Sequence, residues 1–331
     1  MESLPNLIGE DPAFLDVVER VSQLAPIDKS CLVVGERGTG KELITSRLHY
    51  LSRRWDGPLL KINCATLTES LLESELFGHE AGAFTGAQRR HIGRFERAHG
   101  GTLVLDEIAN ASLAVQEKVL RVIEYGELER VGGGETLRVD VRVIGAANVD
   151  LPRMAAEGGF RADLLDRLAF DVITLPPLRA RPADILPLAN HFALEITRTL
   201  DRELFPGFEP AALHALCGYS WPGNVRELRN VIERAVCLHR NDSELISEIV
   251  FDPFASPWRP GASAAAPVQS TTPAENQDFA AAVAHYEQGL VESALHRSRY
   301  NQTLAAEALG LSYHQLRRLI KKHAIEVRAP A

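Results

Sequence analysis

A glycine-rich segment, set between a short apolar run and a helical pattern, constrains the fold of this chain most. After the apolar residues 31–34 come Gly35, Glu36, Arg37, Gly38, Thr39, Gly40 and Lys41. Glycines let backbone N–H groups turn inward around phosphates, and the N-terminus of the next helix adds its positive end. This order predicts a phosphate-binding loop, in which Lys41 reaches the β- and γ-phosphates of a nucleotide. The alternative is a glycine turn that binds no ligand.

A second segment, about 65 residues further on, places two carboxylates at the end of an apolar run. Residues 102–105 indicate a buried strand, which Asp106 and Glu107 follow. Asp106 fits the role of holding Mg²⁺, and Glu107 that of orienting and deprotonating an attacking water. An apolar run that ends in two acids is a weak signal by itself, but it indicates a hydrolysis site specifically when it follows a phosphate-binding loop. Glu42 follows Lys41 where a Ser or Thr metal ligand is common, so we expect a shifted metal or an intervening water.

Strand-like runs alternate with helical patterns through the first two-thirds of the chain. Strands are predicted at 31–34, 59–62, 102–105 and 141–146, and helices at 43–51, 113–123 and 160–168. Such alternation predicts an α/β fold, with a parallel sheet flanked by helices. From residue 182 to about residue 239 the pattern is only helical. The predicted domains are an α/β subdomain (1–175), an all-α subdomain (176–251), a proline-rich linker (252–277) and a helical DNA-binding domain (278–331).

Charge is distributed unevenly along the 331 residues, whose net charge is −8. Residues 296–331 contain seven lysines and arginines and two acids, a net charge of +5, which leaves −13 on the rest. We therefore expect any DNA contact to lie at the C-terminus. The chain has neither a secretory signal nor an apolar run near the ~20 residues of a membrane span. Together with four scattered cysteines, this predicts a cytoplasmic protein without membrane insertion.

The basic C-terminal segment has the pattern of a helix-turn-helix. A helix is predicted at 301–309, a turn at 310–311, and a second helix capped by Ser312 with Gln315 in a capping box. Leu316, Leu319 and Ile320 are expected to pack on Leu304 and Leu309. The opposite face carries His314, Gln315, Arg317, Arg318, Lys321 and Lys322. We expect Arg and Gln to read bases, and Lys321 and Lys322 to contact phosphates; the alternative is a solvated basic helix.

A glycine-bracketed aromatic segment lies between the phosphate loop and the carboxylates. It consists of Gly82, Ala83, Phe84, Thr85, Gly86 and Ala87. The glycines permit a mobile loop that carries Phe84 out to a partner, whereas a Phe taken alone favours burial in the core. Residues 126–138, with three successive glycines, predict a hairpin loop placed to move with this segment.

With these motifs together, and above all with residues 75–87, the chain resembles the bacterial enhancer-binding proteins. These are AAA+ ATPases that activate sigma-54 RNA polymerase. The resemblance implies an AAA+ fold with a helical lid, ATP and Mg²⁺ as cofactors, and enhancer DNA as a partner. It also implies a ring homo-oligomer, a hexamer, and assigns residues 82–87 to contact with sigma-54. Within the family the chain resembles the activators of phage-shock, or envelope-stress, operons.

The resemblance also implies roles for two asparagines at strand ends. Asn63 resembles the switch residue that hydrogen-bonds the catalytic Glu107 and responds to nucleotide. Asn148 resembles the sensor that detects the γ-phosphate.

Three arginines take their expected roles from the same resemblance. Arg161 and Arg167 resemble arginine fingers that act in a neighbouring subunit, and Arg226 resembles the second sensor in the lid. Because Arg161 and Arg167 are six residues apart on a helical stretch, we expect them to face differently and make different contacts. The alternative for each arginine is a surface salt bridge.

Regulation is expected to come from a partner in trans or from the abundance of the protein, since only about eight residues precede the core motif. Trp55 lies in a polar segment and is a candidate docking point for a negative regulator. The alternative is that its indole packs against its own domain.

Two other functions fit parts of the sequence. An AAA+ motor acting on DNA would lack residues 82–87 and need no sigma-54. A non-enzymatic repressor would not need Lys41, Asp106, Glu107 and Arg167. ATP-dependent promoter opening by sigma-54 polymerase separates these functions.

Overall fold

The computed structural model of the protein describes residues 6–239, 244–256, 258–259, 279–298, 300–323 and 325. The chain forms two compact units, Met1–Pro253 and Phe254–Ala331. Of the predicted linker 252–277, only 252–256 and 258–259 are among these residues. The rest of that prediction lies outside the described residues.

Short strands and helices alternate through the first unit. The strands are β1 (Cys31–Val34), β2 (Leu59–Asn63), β3 (Thr102–Asp106), β4 (Glu127–Glu129), β5 (Thr136–Arg138), β6 (Arg142–Ala147) and β7 (Val172–Thr174). The helices are α1 (Pro12–Leu24), α2 (Lys41–Tyr50), α3 (Glu69–Phe77), α4 (Arg94–Arg97), α5 (Leu113–Tyr125), α6 (Leu151–Ala156), α7 (Ala162–Leu168), α8 (Ile185–Thr199), α9 (Pro210–Gly218) and α10 (Asn224–Leu238). The second unit contains α11 (Phe279–Arg297), α12 (Gln302–Ala308) and α13 (Tyr313–Lys322).

The central sheet has five strands in the order β2-β3-β6-β1-β7. Neighbouring strands pair in parallel, with Val34 opposite Ala147 and Asn63 opposite Asp106. Parallel sheets are covered on both faces, and β6 is accordingly buried along its whole length. The predicted α/β fold with a parallel sheet is confirmed.

Successive side chains of the strands enter two different cores. Leu103 and Leu105 of β3 pack in one core with α5, whereas Val104 between them packs in another with α1 and α2. This two-residue period follows from the pleat, which directs alternate side chains to opposite faces. The sheet therefore separates two helical layers, and the carboxyl ends of β1, β3 and β6 share one edge.

The helices α8, α9 and α10 form an all-α subdomain with its own core. At the centre of this core, Trp221 is fully buried, and its Nε1 donates to the Leu216 carbonyl at 2.9 Å. The aliphatic side chains of α8 and α10 surround the indole. The prediction of an all-α subdomain is therefore confirmed. This subdomain is called the lid below.

The C-terminal unit packs three helices around a small core. The core consists of Val291, Ala294, Leu295, Ala305, Ala306, Leu316 and Ile320, with Leu309 and Leu319 partly buried against it. The expectation that Leu304 packs on α13 is wrong, because Leu304 is 53% exposed and the small side chains of Ala305 and Ala306 point inward instead. The small side chains of these two alanines therefore allow α12 and α13 to approach closely.

Candidate nucleotide site and its associated loops

The phosphate loop (residues 35–41) leaves β1 and ends at the N-terminus of α2. Gly38 and Gly40 have positive φ angles of 79° and 103°, which residues with a side chain rarely adopt. A Cβ atom at Gly38 would also lie 2.4 Å from the carbonyl oxygen of Gly223 in the lid. Glycine is therefore required at position 38 by both conformation and space.

Lys41 lies where the phosphate loop meets the two carboxylates that follow β3. Its Nζ donates to the carbonyls of Gly35 at 2.7 Å and Glu36 at 3.0 Å. Burial lowers the pKa of the ammonium, while Asp106 and Glu107 act in the opposite direction. Lys41 thus supplies a cation at the site that Asp106 and Glu107 share.

A cavity of about 420 Å³ opens between the phosphate loop, the end of β3 and the lid. It is lined by Arg37, Gly38, Gly40, Lys41, Glu42, Leu43, Asp106, Glu107, Phe192, Val225, Arg226 and Arg229. Predicted residues from three separate segments of the chain are thus brought to one cavity.

The carboxylates differ in their partners. Asp106 accepts from the Glu107 backbone N–H at 3.0 Å and from Asn63 Nδ2 at 3.2 Å, and burial raises its pKa. Glu107 has a positive φ of 50°, and Arg37 Nε lies 3.8 Å from its Oε1. The expected hydrogen bond from Asn63 to Glu107 is replaced by the one to Asp106. The cause is strand register, which sets Asn63 directly opposite Asp106.

The residues for a magnesium ion are partly in place. Asp106 supplies a carboxylate at the cavity, which suits Mg²⁺ because this ion is held by one or two carboxylates together with phosphates. Glu42 is turned toward β2, where its Oε1 lies 3.1 Å from Lys61 Nζ. Among the described residues, no group of three or more His, Cys, Asp or Glu side chains could hold a metal.

Backbone hydrogen bonds place Asn148 and Arg226 near the phosphate loop. Asn148 directly follows β6, whose last residue, Ala147, accepts a hydrogen bond from the Gly35 N–H at 3.1 Å. Arg226, in the first turn of α10, donates its backbone N–H to the Gly38 carbonyl at 3.3 Å. The structure therefore places both residues beside the phosphate loop.

Arg161 and Arg167 both contact acids on α5. Arg161 Nη1 lies 3.4 Å from Glu117 and its Nη2 2.7 Å from Asp163, while Arg167 Nη2 lies 2.6 Å from Glu124. Glu117 and Glu124 are two turns apart on one face of α5. The two arginines make different contacts, as expected, although both reach α5. Arg161 is the N-cap of α7 and lies outside the helix, so the helical spacing assumed for the pair does not apply.

Sequence reasoning missed a second set of residues that hold the phosphate loop from the lid side. The Arg181 side chain is buried, and its Nη2 donates to the Thr39 carbonyl at 2.9 Å. Arg179 pairs with both carboxylate oxygens of Glu36, and Asn224 bonds the same carboxylate. No local sequence pattern predicts these contacts, because more than 140 residues separate the partners.

The aromatic loop (residues 82–87) forms a tight projecting turn. Gly82 and Gly86 have φ angles of 85° and 106°, and the Gly82 N–H donates to the Ala87 carbonyl at 2.7 Å. Phe84 is 45% exposed, and its ring meets the His79 ring edge-on at 4.9 Å. The alternative of a core Phe84 is wrong.

The hairpin loop (residues 126–138) lies against the aromatic loop. Strands β4 and β5 pair antiparallel, which confirms the predicted hairpin. The Glu80 N–H donates to the Val131 carbonyl at 3.1 Å, and a Cβ atom at Gly132 would lie 2.7 Å from Ala83 Cβ. Buried Arg130 bonds Glu80 at 2.8 Å. The two loops are therefore one contacting pair.

The predicted DNA-reading face of α13 is exposed but not entirely free. All six predicted side chains are exposed: His314, Gln315, Arg317, Arg318, Lys321 and Lys322. The capping box is confirmed, with Gln315 Oε1 accepting from the Ser312 N–H at 2.9 Å. Lys322 Nζ lies 2.7 Å from Glu287 of α11. Base reading by Gln315 and phosphate contact by Lys322 thus compete with existing partners.

Trp55 lies in the turn after α2 and is 58% exposed. Its neighbour Arg54 is anchored by Asp28 and Asp140, both at 2.7 Å. More than half of the Trp55 surface is therefore accessible to a partner, and its docking role stays a prediction.

Comparison with known families decides what these parts form. Residues 7–174 match the Sigma-54 interaction domain, 179–256 the AAA+ ATPase lid domain, and 282–323 the bacterial regulatory protein, Fis family. The chain belongs to the sigma-54-dependent transcriptional activators. This activator thus combines an AAA+ ATPase core and lid with a helix-turn-helix DNA-binding domain.

The activator is similar along most of its length to proteins of known name. It is 57% identical to the Psp operon transcriptional activator of Escherichia coli (strain K12), over 97% of this chain and 98% of that protein. It is 42% identical to the regulatory protein AtoC of the same strain, over 97% of this chain and 68% of that protein.

A solved structure also matches the activator. NtrX from Brucella abortus in complex with ATP superposes with a TM-score of 0.71 at 33% identity, covering 97% of this chain and 70% of that one. In the part of the activator that the structure describes, no helix combines the length and apolarity needed to cross a membrane.

Proposed function

We propose that this protein hydrolyses Mg²⁺-bound ATP and uses the energy to convert the closed complex of sigma-54 RNA polymerase into the open complex. The target would be a phage-shock operon, as the resemblance to activators of such operons implies; the chain is 57% identical to the Psp operon transcriptional activator. The proposed domains are the α/β subdomain (1–175), lid (176–251), linker (252–277) and DNA-binding domain (278–331).

The chemistry assigned to the cavity follows from its charges. Lys41 would neutralise the β- and γ-phosphates, which the N–H groups of the phosphate loop surround. Asp106 would hold Mg²⁺, which supplies charge neutralisation between phosphate oxygens when bound. Glu107, whose carboxylate does not bond Asn63 and lies 3.8 Å from Arg37 Nε, would orient the attacking water.

The observation that carries the proposal is the path of the chain between the cavity and the two contacting loops. The aromatic loop follows Asn63 through α3, and the hairpin loop follows Glu107 through α5. Both loops therefore continue from residues at the cavity edge. A γ-phosphate that moves Asn63 or Glu107 could change the exposure of Phe84 through these helices.

The remaining assignments rest on surface side chains. Arg161 and Arg167 would reach the cavity of a neighbouring subunit in a hexameric ring, where a cation stabilises transition-state charge. Asn148 would detect the γ-phosphate, and Arg226 would report lid movement. Exposed Trp55 would dock a negative regulator.

DNA contact is assigned to α13 because its exposed face is basic. Arg317 and Arg318 suit base edges in the major groove, and Lys321 suits phosphates. We expect Arg317→Ala to weaken enhancer binding at least about fivefold, since a base contact is worth roughly 1–3 kcal/mol. Lys322→Ala should cost less, because Lys322 already pairs with Glu287. Gel-shift titration at fixed salt measures both.

Promoter opening in a purified system tests the proposal. The protein, sigma-54 polymerase and a phage-shock promoter are combined with ATP, with ADP or without nucleotide, and open complexes are counted by permanganate footprinting. Opening should require ATP and should be abolished by Glu107→Gln, which removes the base but keeps the side-chain shape.

Two results would contradict the proposal. Opening without ATP would remove hydrolysis from the mechanism. ATP hydrolysis without sigma-54-dependent opening, but with movement on duplex DNA, would favour the DNA motor.

A further inference from the structure

A buried asparagine in the lid bonds the phosphate loop through the amide nitrogen of its side chain. Asn224, the first residue of α10, is 0% exposed. Its Oδ1 accepts from the Leu178 N–H at 2.8 Å, and its Nδ2 donates to Glu36 Oε2 at 3.1 Å and to the Arg37 carbonyl at 3.0 Å. Both polar atoms of the side chain are thus bonded, and the partners of Nδ2 are 188 and 187 residues away in sequence.

Three successive carbonyls of the phosphate loop accept hydrogen bonds from the lid side. The Arg37 carbonyl accepts from Asn224, the Gly38 carbonyl from the Arg226 N–H, and the Thr39 carbonyl from Arg181. In a planar trans peptide the carbonyl and the following N–H point in opposite directions. Donors to these carbonyls therefore turn the N–H groups of residues 38–40 away from the donors, which leaves them available to phosphates.

Asn224 itself is held in one orientation. Its backbone has a positive φ of 54°, which asparagine tolerates better than most residues. The carboxylate that it bonds is also fixed, because Arg179 bonds both oxygens of Glu36. The amide thus joins a lid helix to a loop that is anchored from a second direction.

We propose that Asn224 is a positioning residue for nucleotide binding, which sets the peptide orientation of the phosphate loop through the Arg37 carbonyl and the Glu36 carboxylate. The inference rests on the proposed ATP site. Because the lid and the phosphates bond opposite ends of the same peptide units, each contact favours the other. The lid residue therefore raises ATP affinity without touching ATP.

An isosteric variant tests this role. Asn224→Asp keeps the side-chain shape and the acceptor for Leu178, but removes both donors and sets a carboxylate beside Glu36. We expect the Kd for a nonhydrolysable ATP analogue to rise about 10- to 100-fold, since two hydrogen bonds are lost, one of them to a charged group. The KM for ATP should rise similarly while kcat at saturating ATP stays within about threefold.

A donor swap separates positioning from general damage. When Asn224→Asp is combined with Glu36→Gln, the amide introduced at position 36 can donate to the new carboxylate. ATP affinity should then recover by about tenfold over Asn224→Asp alone. Asn190→Asp makes the same chemical change at an exposed position of α8 and should leave affinity unchanged.

The outcomes distinguish a failure of the proposed function from a failure of the role proposed for Asn224. If the wild-type protein binds no ATP, the proposed function fails. If it binds ATP and Asn224→Asp binds equally well, or if the swap gives no recovery, the role of Asn224 is overturned. Should Asn224→Asp not fold, Glu36→Ala tests the same contact from a partly exposed side chain: about three- to tenfold weaker binding supports the role, and unchanged binding overturns it.

Discussion

The phosphate loop and the aromatic loop are both glycine loops, and the structure holds them in opposite ways. Gly38 and Gly82 have similar φ angles, 79° and 85°. A Cβ atom at Gly38 would collide with a lid carbonyl at 2.4 Å, whereas no described atom lies within 4 Å of one at Gly82. The first loop needs glycine for close packing as well as conformation, and the second needs it for conformation alone.

This difference suits the phosphate loop to nucleotide binding and the aromatic loop to transmitting the effect of hydrolysis. A loop held by donors at three successive carbonyls is organised before its ligand arrives, which lowers the entropy lost on binding. A loop with open space around both of its glycines can change its exposure at low cost in free energy. The first property suits nucleotide binding, and the second suits a contact with sigma-54 that depends on nucleotide state.

The largest expected effect belongs to Gly38→Ala. The clash and the left-handed backbone together cost roughly 2–5 kcal/mol, so ATP affinity should fall at least about 30-fold and hydrolysis with it. Fluorescent-nucleotide titration measures the affinity. Gly218→Ala, at a helix end with open space around it, is the control. Near-normal ATP affinity in Gly38→Ala would contradict the claim that the phosphate loop needs glycine for close packing and conformation.

Gly82→Ala tests the other loop with the same substitution. The backbone strain of about 1–2 kcal/mol should reduce promoter opening roughly 5- to 30-fold, while ATP affinity and hydrolysis remain within about twofold. Permanganate footprinting and phosphate release report the two activities. A parallel loss of ATP affinity would show that the loops are not separable.

Gly132→Ala should disturb the aromatic loop from the hairpin loop. The new methyl group would lie 2.7 Å from Ala83 Cβ, so promoter opening should fall several-fold with hydrolysis unchanged. Ala83→Gly removes the opposing methyl group and should restore part of the opening. Additive losses in the double variant would indicate that the contact between the loops does not matter.

The smallest expected effect is on the pH dependence of stability, and it arises from Glu36 of the phosphate loop. The Arg179 hydrogen bond lowers the pKa of Glu36 to about 2, from a usual value near 4.5. A lowered carboxyl pKa stabilises the folded protein above about pH 4.5, and this contribution is lost as pH falls toward 2. Since the pair is exposed, the gain is below about 1 kcal/mol.

Chemical denaturation at pH 5 and pH 2 measures the contribution of Glu36. The free energy of unfolding should be slightly lower for Glu36→Gln than for the wild type at pH 5, and the difference should be smaller at pH 2. A difference that grows on acidification would have the wrong sign.

Local patterns in the sequence predicted the parts of the site that lie within one segment. The phosphate loop and the pair Asp106–Glu107 each follow an apolar strand, and strand and loop together form the signal. The three-residue strand β7 and helix α1 were not predicted. A run as short as Val172–Thr174 carries no period of its own and forms a strand only because β1 lies beside it.

Contacts between distant segments were beyond sequence reasoning. Asn63 bonds Asp106 rather than Glu107 because the register of β2 on β3 decides which carboxylate it meets. The contacts of Asn224 and Arg181 with the phosphate loop likewise exist only once the lid is folded. Gln315 shows a different limit, since the oxygen that caps α13 was also expected to read a base.

The central claim is that the aromatic loop transmits hydrolysis without taking part in it. Thr85→Ala tests this claim most directly, because Thr85 is exposed and the change leaves both loop glycines in place. Phosphate release and open-complex formation are measured in the same reaction with sigma-54 polymerase. The account predicts hydrolysis within about twofold of the wild type and opening reduced at least about tenfold. Equal loss of both activities, or unimpaired opening, would contradict it.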